Sequence, residues 1–450
     1  MTTSDEFGTK PINYLLRKQA IPSAIGILTL SIYGIVDTIF VGNYVGSVGI
    51  AAITVVIPIT FLISSIGMGI GIGGASIISR ALGSGNPEKA NKTFGNQLTL
   101  TFILGIFFSL GCWIFIEPIL ELFGAKGDIL HPTIDYFNII LIGVPVLAFA
   151  MMSNSIFRAV GYPKVAMVVM IVPAIVNVIL DPIFIAVLKW GIKGAAWATT
   201  FSYIFSASYA FYFFLRGKTG FNISKKDLIL DFKITAEIFS IGSVTIARQG
   251  IVSLLFLVLN NSLFKYGGET SIAVYGIINR MMMLVNVPAI GITQGSMPII
   301  GYNYGAELFK RVSLTLRNAI ISATVLSSFI YAAILIFTPQ IVGIFTKDQD
   351  LIQQTVPALR ITFLMTPLIA FQLISSAYFQ ALGKALPALL LTLTKQGFFL
   401  IPLLLILPNF YQLDGIWIAF PIADLATAIV CMSYLVYDSR KIILNPSSIQ

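Results

Sequence analysis

Twelve apolar stretches, separated by short polar connections, set the pattern of this chain. Crossing a bilayer as a helix takes about 20 mostly apolar residues. The stretches that satisfy this run over 13–41, 48–80, 91–116, 131–157, 162–188, 194–215, 234–263, 271–301, 311–337, 351–379, 386–408 and 414–437. Several exceed the minimum, which predicts tilt or kinks rather than extra crossings. The longest polar connection, Arg216 to Lys233, leaves six spans on either side. The expected organisation is an N-lobe over 1–215, an inter-lobe linker over 216–233 and a C-lobe over 234–450. The fold class is therefore an all-α polytopic membrane protein of twelve helices in two six-helix lobes.

Composition agrees. Of the 450 residues 57% are hydrophobic and 10% charged, with a mean hydropathy of +0.90. Soluble domains carry roughly 25% charged residues, so the main solvent must be lipid. The net charge of +9 would suggest nucleic acid in a soluble protein. Here most basic residues flank the spans, where they set orientation. Nineteen fall on the side that holds both termini and the inter-lobe linker, and five on the other. The positive-inside rule then places both termini in the cytoplasm. The polar start of the chain lacks the basic n-region of a removable signal peptide, so the first span is expected to direct insertion. Cys112 and Cys431 imply no disulfide framework, and the lone His131 implies no metal site.

An internal repeat appears at an offset of 222 residues. Gly73, Ile77, Ile78 and Gly83 match Gly295, Ile299, Ile300 and Gly305, and Phe157-Arg158-Ala159-Val160-Gly161 matches Phe379-Gln380-Ala381-Leu382-Gly383. Pro145 matches Pro367. Each repeat has six spans, so both enter the membrane in the same direction. Parallel repeats of this kind are one of the two symmetric layouts of secondary transporters.

Intramembrane acids are costly and functional by default. Asp37 lies late in the first span, Asp181 in the fifth and Asp424 near the middle of the twelfth. Asn177 and Asp181, four residues apart, share a helix face, and Pro182 predicts a local distortion that frees carbonyls. Two carboxylates brought together in an apolar lobe repel each other and lose hydration, which favours holding a proton. An oxygen-lined site equally suits Na⁺, and the sequence does not separate the two. Arg248 can face a cavity, pair with a carboxylate or snorkel. Gln249 is beside it. Arg280, Arg360 and Lys395 are open in the same way. The run Gly67 to Gly74 has no βαβ context for a nucleotide fingerprint, so it reads as close helix packing or a hinge. Met282, within Met281 to Met283, is a candidate cavity residue. There is no P-loop, selectivity filter or paired catalytic constellation, so no enzyme is expected.

With these residues in place the chain resembles the multidrug and toxic compound extrusion (MATE) family. The resemblance rests on Pro22, Val36-Asp37-Thr38-Ile39-Phe40-Val41-Gly42, Gly83 to Lys89, Phe157 to Pro163 and Asn177 to Pro182. Within the family it is similar to the DinF-like bacterial and archaeal branch. That likeness implies a cation or proton site in the N-lobe made by Asp37, Asn177, Asp181 and Thr199, the same four holding Na⁺ if Na⁺ is used. It implies Pro22 as a helix hinge. The other large bacterial branch uses acids in the seventh and tenth spans; here the middle of the seventh offers Arg248 and Gln249, its one acid, Glu237, is near the cytoplasmic end, and the tenth has no acid within its apolar run. The implied activity is antiport by alternating access: cationic or amphipathic drug-like compounds leave while H⁺ or Na⁺ enters, with no other cofactor. The implied setting is the cytoplasmic membrane of a prokaryote, with a functional monomer, the lipid bilayer as partner and no nucleic acid. A lipid or lipid-linked oligosaccharide flippase of the same superfamily is the alternative. The repeat breaks where this chemistry sits, since Asp37 faces Leu259 and Asp181 faces Leu403 at the shared offset.

Overall fold

A computed structural model describes residues 3–217, 219–222, 224–346 and 348–443. Lys218 and Lys347 of the charge count lie outside these, as do the side chains of Arg440 and Lys441. Among the described residues the secondary structure is entirely helical.

In chain order the helices are α1 (Ile12–Tyr44), α2 (Ser47–Gly83), α3 (Pro87–Ile114), α4 (Leu130–Ala159), α5 (Pro163–Asp181) and α6 (Gly191–Leu215). They continue as α7 (Phe232–Gly305), α8 (Phe309–Phe345), α9 (Gln349–Thr362), α10 (Thr366–Ala381), α11 (Ala385–Leu393), α12 (Ile401–Ile406) and α13 (Pro408–Ile443). Two spans merge in α7, which breaks at Gly268 (φ 66°, ψ −162°), a conformation open to glycine at little cost. The tenth span is not one rod. Its halves α9 and α10 meet at a bend of 49°, because Pro367 cannot supply the amide a continuous helix needs. The eleventh is α11 and α12 joined by a wide π-helical turn, Thr394–Leu400. A matching π-helical segment, Pro182–Val187, follows α5. The turn into α3 has a local cause: the Asn86 side chain accepts from the Lys89 amide at 2.9 Å and Pro87 opens the helix.

The chain forms two compact units. The first comprises Met1–Thr9 and Ile25–Ile246, the second Lys10–Ala24 and Ala247–Gln450. Helix α1 thus starts in the second unit and α7 starts in the first. The segments exchanged, Lys10–Ala24 and Phe232–Ile246, correspond at the 222-residue offset.

Small residues explain why each segment docks where it does. In the first unit a Cβ on Gly73 would stand 2.3 Å from the Ile238 carbonyl oxygen, and one on Gly69 3.0 Å from that of Gly242. In the second unit a Cβ on Gly295 would stand 2.8 Å from the Ala20 nitrogen, and one on Gly291 2.8 Å from the Ala24 methyl. Gly73 and Gly69 are equivalent to Gly295 and Gly291 under the repeat, and Gly242, which both of the former meet, is equivalent to Ala20, which both of the latter meet; each contact lets two backbones approach as in small-xxx-small packing. Gly67 and Gly71 use the other face of α2 against Ala148 and Met152 of α4. The glycine run is a helix-packing device. Polar contacts finish each dock. Arg80 Nη2 donates to Glu237 Oε1 at 2.8 Å, and Lys92 Nζ to Asp231 Oδ2 at 2.7 Å. In the second unit Arg311 Nη2 donates to the Lys10 carbonyl at 2.6 Å and Asn318 to Asn13 at 2.8 Å. Asp231 also accepts from the amides of Lys233 and Ile234, capping α7.

Candidate functional site

In the first unit α1, α5 and α6 bring Asp37, Asn177, Asp181 and Thr199 together. Asn177 and Asp181 are fully buried and Thr199 nearly so. Asn177 Nδ2 donates to Thr199 Oγ1 at 3.3 Å. The Asp37 and Asp181 carboxyl groups lie against each other, and Asn177 also adjoins Asp181. Both Asp181 oxygens, Asp37 Oδ1 and Asn177 Oδ1 are buried without a hydrogen-bond donor. Four such acceptors in one place are costly unless something positive or protic satisfies them. A proton shared between the carboxyls does so, and so does a hard cation, which prefers oxygen ligands. The residues present fit either ion.

Sequence reasoning missed three tyrosines. The phenols of Tyr33 and Tyr136 reach the Thr199 hydroxyl, and Tyr33, Tyr136 and Tyr203 all sit close to Asp37. Two of them carry a signal in the chain: Tyr33 precedes Asp37 by one helical turn and Tyr203 follows Thr199 by one. Tyr136, on α4, becomes visible only once the helices are packed. Directly after Asp181 the wide turn Pro182–Val187 loosens the ordinary backbone ladder.

The remaining candidates go elsewhere. Helix α1 runs unbroken through Pro22, which lies two residues before the chain passes from the second unit to the first. Asp424 is buried in the second unit, where Lys395 Nζ approaches its Oδ1 at 2.5 Å. Arg248 and Lys395 both line a cavity of about 160 Å³. Gln249 does not line it, and Met282 packs against the apolar core of that unit. Arg280 is exposed, and Arg360 donates to Thr338 at 3.4 Å. A cavity of about 900 Å³ in the first unit is separate from the acid cluster. Phe94, Phe149, Phe211 and Phe214 line it, and exposed lining residues such as Phe211 leave it open to bilayer chains.

Comparison with known proteins decides the family. The MatE sequence model matches residues 22–183 and again 245–406. The chain belongs to the MatE family. The two matches have equal length and start 223 residues apart, one residue from the internal offset, so each repeat is one MatE unit. The multidrug export protein MepA of Staphylococcus aureus (strain MSSA476) is 28% identical over 436 residues, 96% of each chain. A MATE crystal structure in complex with MaL6 superposes with a TM-score of 0.93 at 26% identity, covering 98% of this chain and 99% of that one. A MOP superfamily transporter from Pyrococcus furiosus, whose binding pocket of reverse polarity suggests a different function, superposes with a TM-score of 0.90 at 27% identity over 97% of each. This MatE chain is thus a multi-pass membrane transporter.

Proposed function

We propose that the protein is a secondary multidrug exporter, driven by H⁺ or Na⁺ entering through the first unit. The buried, unsatisfied oxygens of Asp37, Asn177 and Asp181 carry this reading. Kinship with a multidrug export protein supports the substrate class, cationic or amphipathic drug-like compounds. A transporter needs a ligand with different affinity in its two states, and an ion that neutralises this acid pair supplies that difference. One charge crossing a potential of about 100 mV adds about 2.3 kcal/mol. The excess of basic residues beside both termini supports a cytoplasmic location for them, and kinship with a staphylococcal exporter supports the cytoplasmic membrane of a prokaryote. The exporter acts as a monomer, with no cofactor beyond the coupling ion and no enzymatic step.

A second reading, a lipid or lipid-linked oligosaccharide flippase, has two observations in its favour. Arg248 and Lys395 place positive charge in the second unit, and the Pyrococcus furiosus relative has a pocket of reverse polarity. Reconstituted liposomes separate the readings. Purified protein is expected to expel a fluorescent organic cation when a proton or a Na⁺ gradient is imposed, each tested alone. Asp37→Asn and Asp181→Asn are expected to abolish the coupling with the fold intact. Full gradient-driven efflux in both variants would overturn the N-lobe site.

A further inference from the structure

The polar cavity of the second unit is unlike the acid cluster in both charge and size. Arg248, Lys395, Gln372, Asn286, Ser376 and Thr392 contribute to its wall. Arg248 lies sixteen residues into α7, about 24 Å along the helix at about 1.5 Å per residue. Lys395 lies ten residues beyond the start of α11, about 15 Å by the same measure. Both cations are therefore well inside the bilayer, where unpaired charge is rare and marks a ligand path or a partner. Lys395 has its partner in Asp424. Arg248 has neither a carboxylate nor another hydrogen-bond partner among the described residues. The cavity therefore carries one positive charge in excess.

Around that charge the wall offers two side-chain amides that can donate, Asn286 and Gln372, while the Ser376 hydroxyl is spent on the Ala388 carbonyl and that of Thr392 on Ser376. A planar guanidinium with donors on either side matches an oxyanion. Volume limits the ligand further. Drug-sized molecules fill cavities of about 300–1,000 Å³. At about 160 Å³ this one takes a charged group and leaves the remainder of the molecule outside. Lys395 owes its place to the wide turn Thr394–Leu400, the kind of helix defect that recurs at functional sites.

We propose that this cavity is an anion subsite, in which Arg248 and Lys395 hold the carboxylate or phosphate group of an amphipathic molecule and Asp424 positions Lys395. The proposal shares with the exporter reading only the premise that the chain takes up amphipathic molecules. It adds to that premise a contact for the anionic group of those substrates that carry one. The test is equilibrium binding to the full chain in nanodiscs without any ion gradient, with Asp37 and Asp181 unaltered. The probes are a fluorescent zwitterionic amphiphile bearing a free carboxylate and its methyl ester. The wild-type protein is expected to bind the acid at least about tenfold more tightly than the ester, as charge-assisted hydrogen bonds would give. Arg248→Gln is expected to erase the preference while ester binding and thermal unfolding stay unchanged. Arg248→Lys should restore part of it. Displacement of the bound acid by short-chain phosphatidic acid but not octanoate assigns phosphate as the preferred group, and the reverse assigns carboxylate; either supports the subsite. Equal affinity for acid and ester in the wild type overturns it, as does a preference that survives in folded Arg248→Gln. The wild-type comparison depends on no variant folding. Its failure leaves the coupling test of Asp37 and Asp181 untouched.

Discussion

Asp181 shows how much of the chemistry a single residue can announce. An acid buried in an apolar span, one turn after an asparagine and just before a proline, already points to a cation site. The structure adds what surrounds it: Asp37 alongside, and phenols from three helices. The phenols change the expected pattern of mutants. Tyr136→Phe removes a hydroxyl beside Thr199 and no charge, and one hydrogen bond is worth about 0.5–1.5 kcal/mol. The coupling-ion concentration for half-maximal efflux should therefore rise about two- to tenfold, with maximal efflux retained. Complete loss of transport in this variant would mean that Tyr136 does more than orient Thr199. Arg248 and Lys395 were visible in the sequence as intramembrane cations. Their sharing of one wall, and the pairing of Lys395 with Asp424, required the packed helices, because they come from spans far apart in the chain.

Among the elements, α2 is the one whose composition is most fully explained. From Gly67 to Gly73 its glycines alternate between two packing surfaces, α4 on one side and the first turns of α7 on the other, and Gly74 meets Gln97 of α3. A side chain at Gly73 has to displace main chain at Ile238. Gly73→Val should lower stability by about 1–3 kcal/mol, the usual cost of overpacking, measured by thermal unfolding in detergent. Gly111→Ala is the control. A Cβ there meets nothing within 4 Å, so stability should hold or rise slightly. Gly295→Val should behave as Gly73→Val does, since its methyls would meet the main chain at Ala20.

The start of α7 also carries a pH dependence. The hydrogen bond from Lys92 holds the Asp231 carboxyl below its ordinary range. A carboxylate lowered by folding contributes above its unfolded value near pH 4 and stops contributing as pH falls through the lowered one. Protease cleavage in 219–231 should thus be slow and constant above about pH 5 and accelerate only in stronger acid. Asp231→Asn should cleave faster at neutral pH. The element boundaries themselves were partly legible. The break near Gly268 falls in the gap between two apolar stretches, and Pro182 flagged the wide turn after α5. Pro367 could have flagged the bend between α9 and α10, but the apolar run continues through it. The turn at Thr394 has no proline at its start and leaves no mark in the hydropathy pattern.

At the scale of the molecule, the 222-residue offset revealed two equivalent halves before any helix was placed. What it could not reveal was the exchange of Lys10–Ala24 for Phe232–Ile246. An offset says which residues are alike, whereas docking depends on which surface each one meets. The glycines that decide the docking were in plain view, but glycines facing lipid look the same in sequence.

That exchange bears on how the protein is made. The ribosome finishes the first six spans while the segment that completes their unit, Phe232–Ile246, is still unmade. Meanwhile Lys10–Ala24, the first part of α1 to emerge, must wait through most of synthesis for Gly291 and Gly295. Each half of the nascent chain therefore holds an open glycine groove or an unclaimed helical segment until the other half arrives. A truncated chain ending at residue 215 should be degraded quickly in cells. One ending at residue 250 should persist longer, because Gly69 and Gly73 then have their partners, and pulse-chase labelling of the two measures the difference. Equal lifetimes would mean that the first unit settles without its borrowed segment.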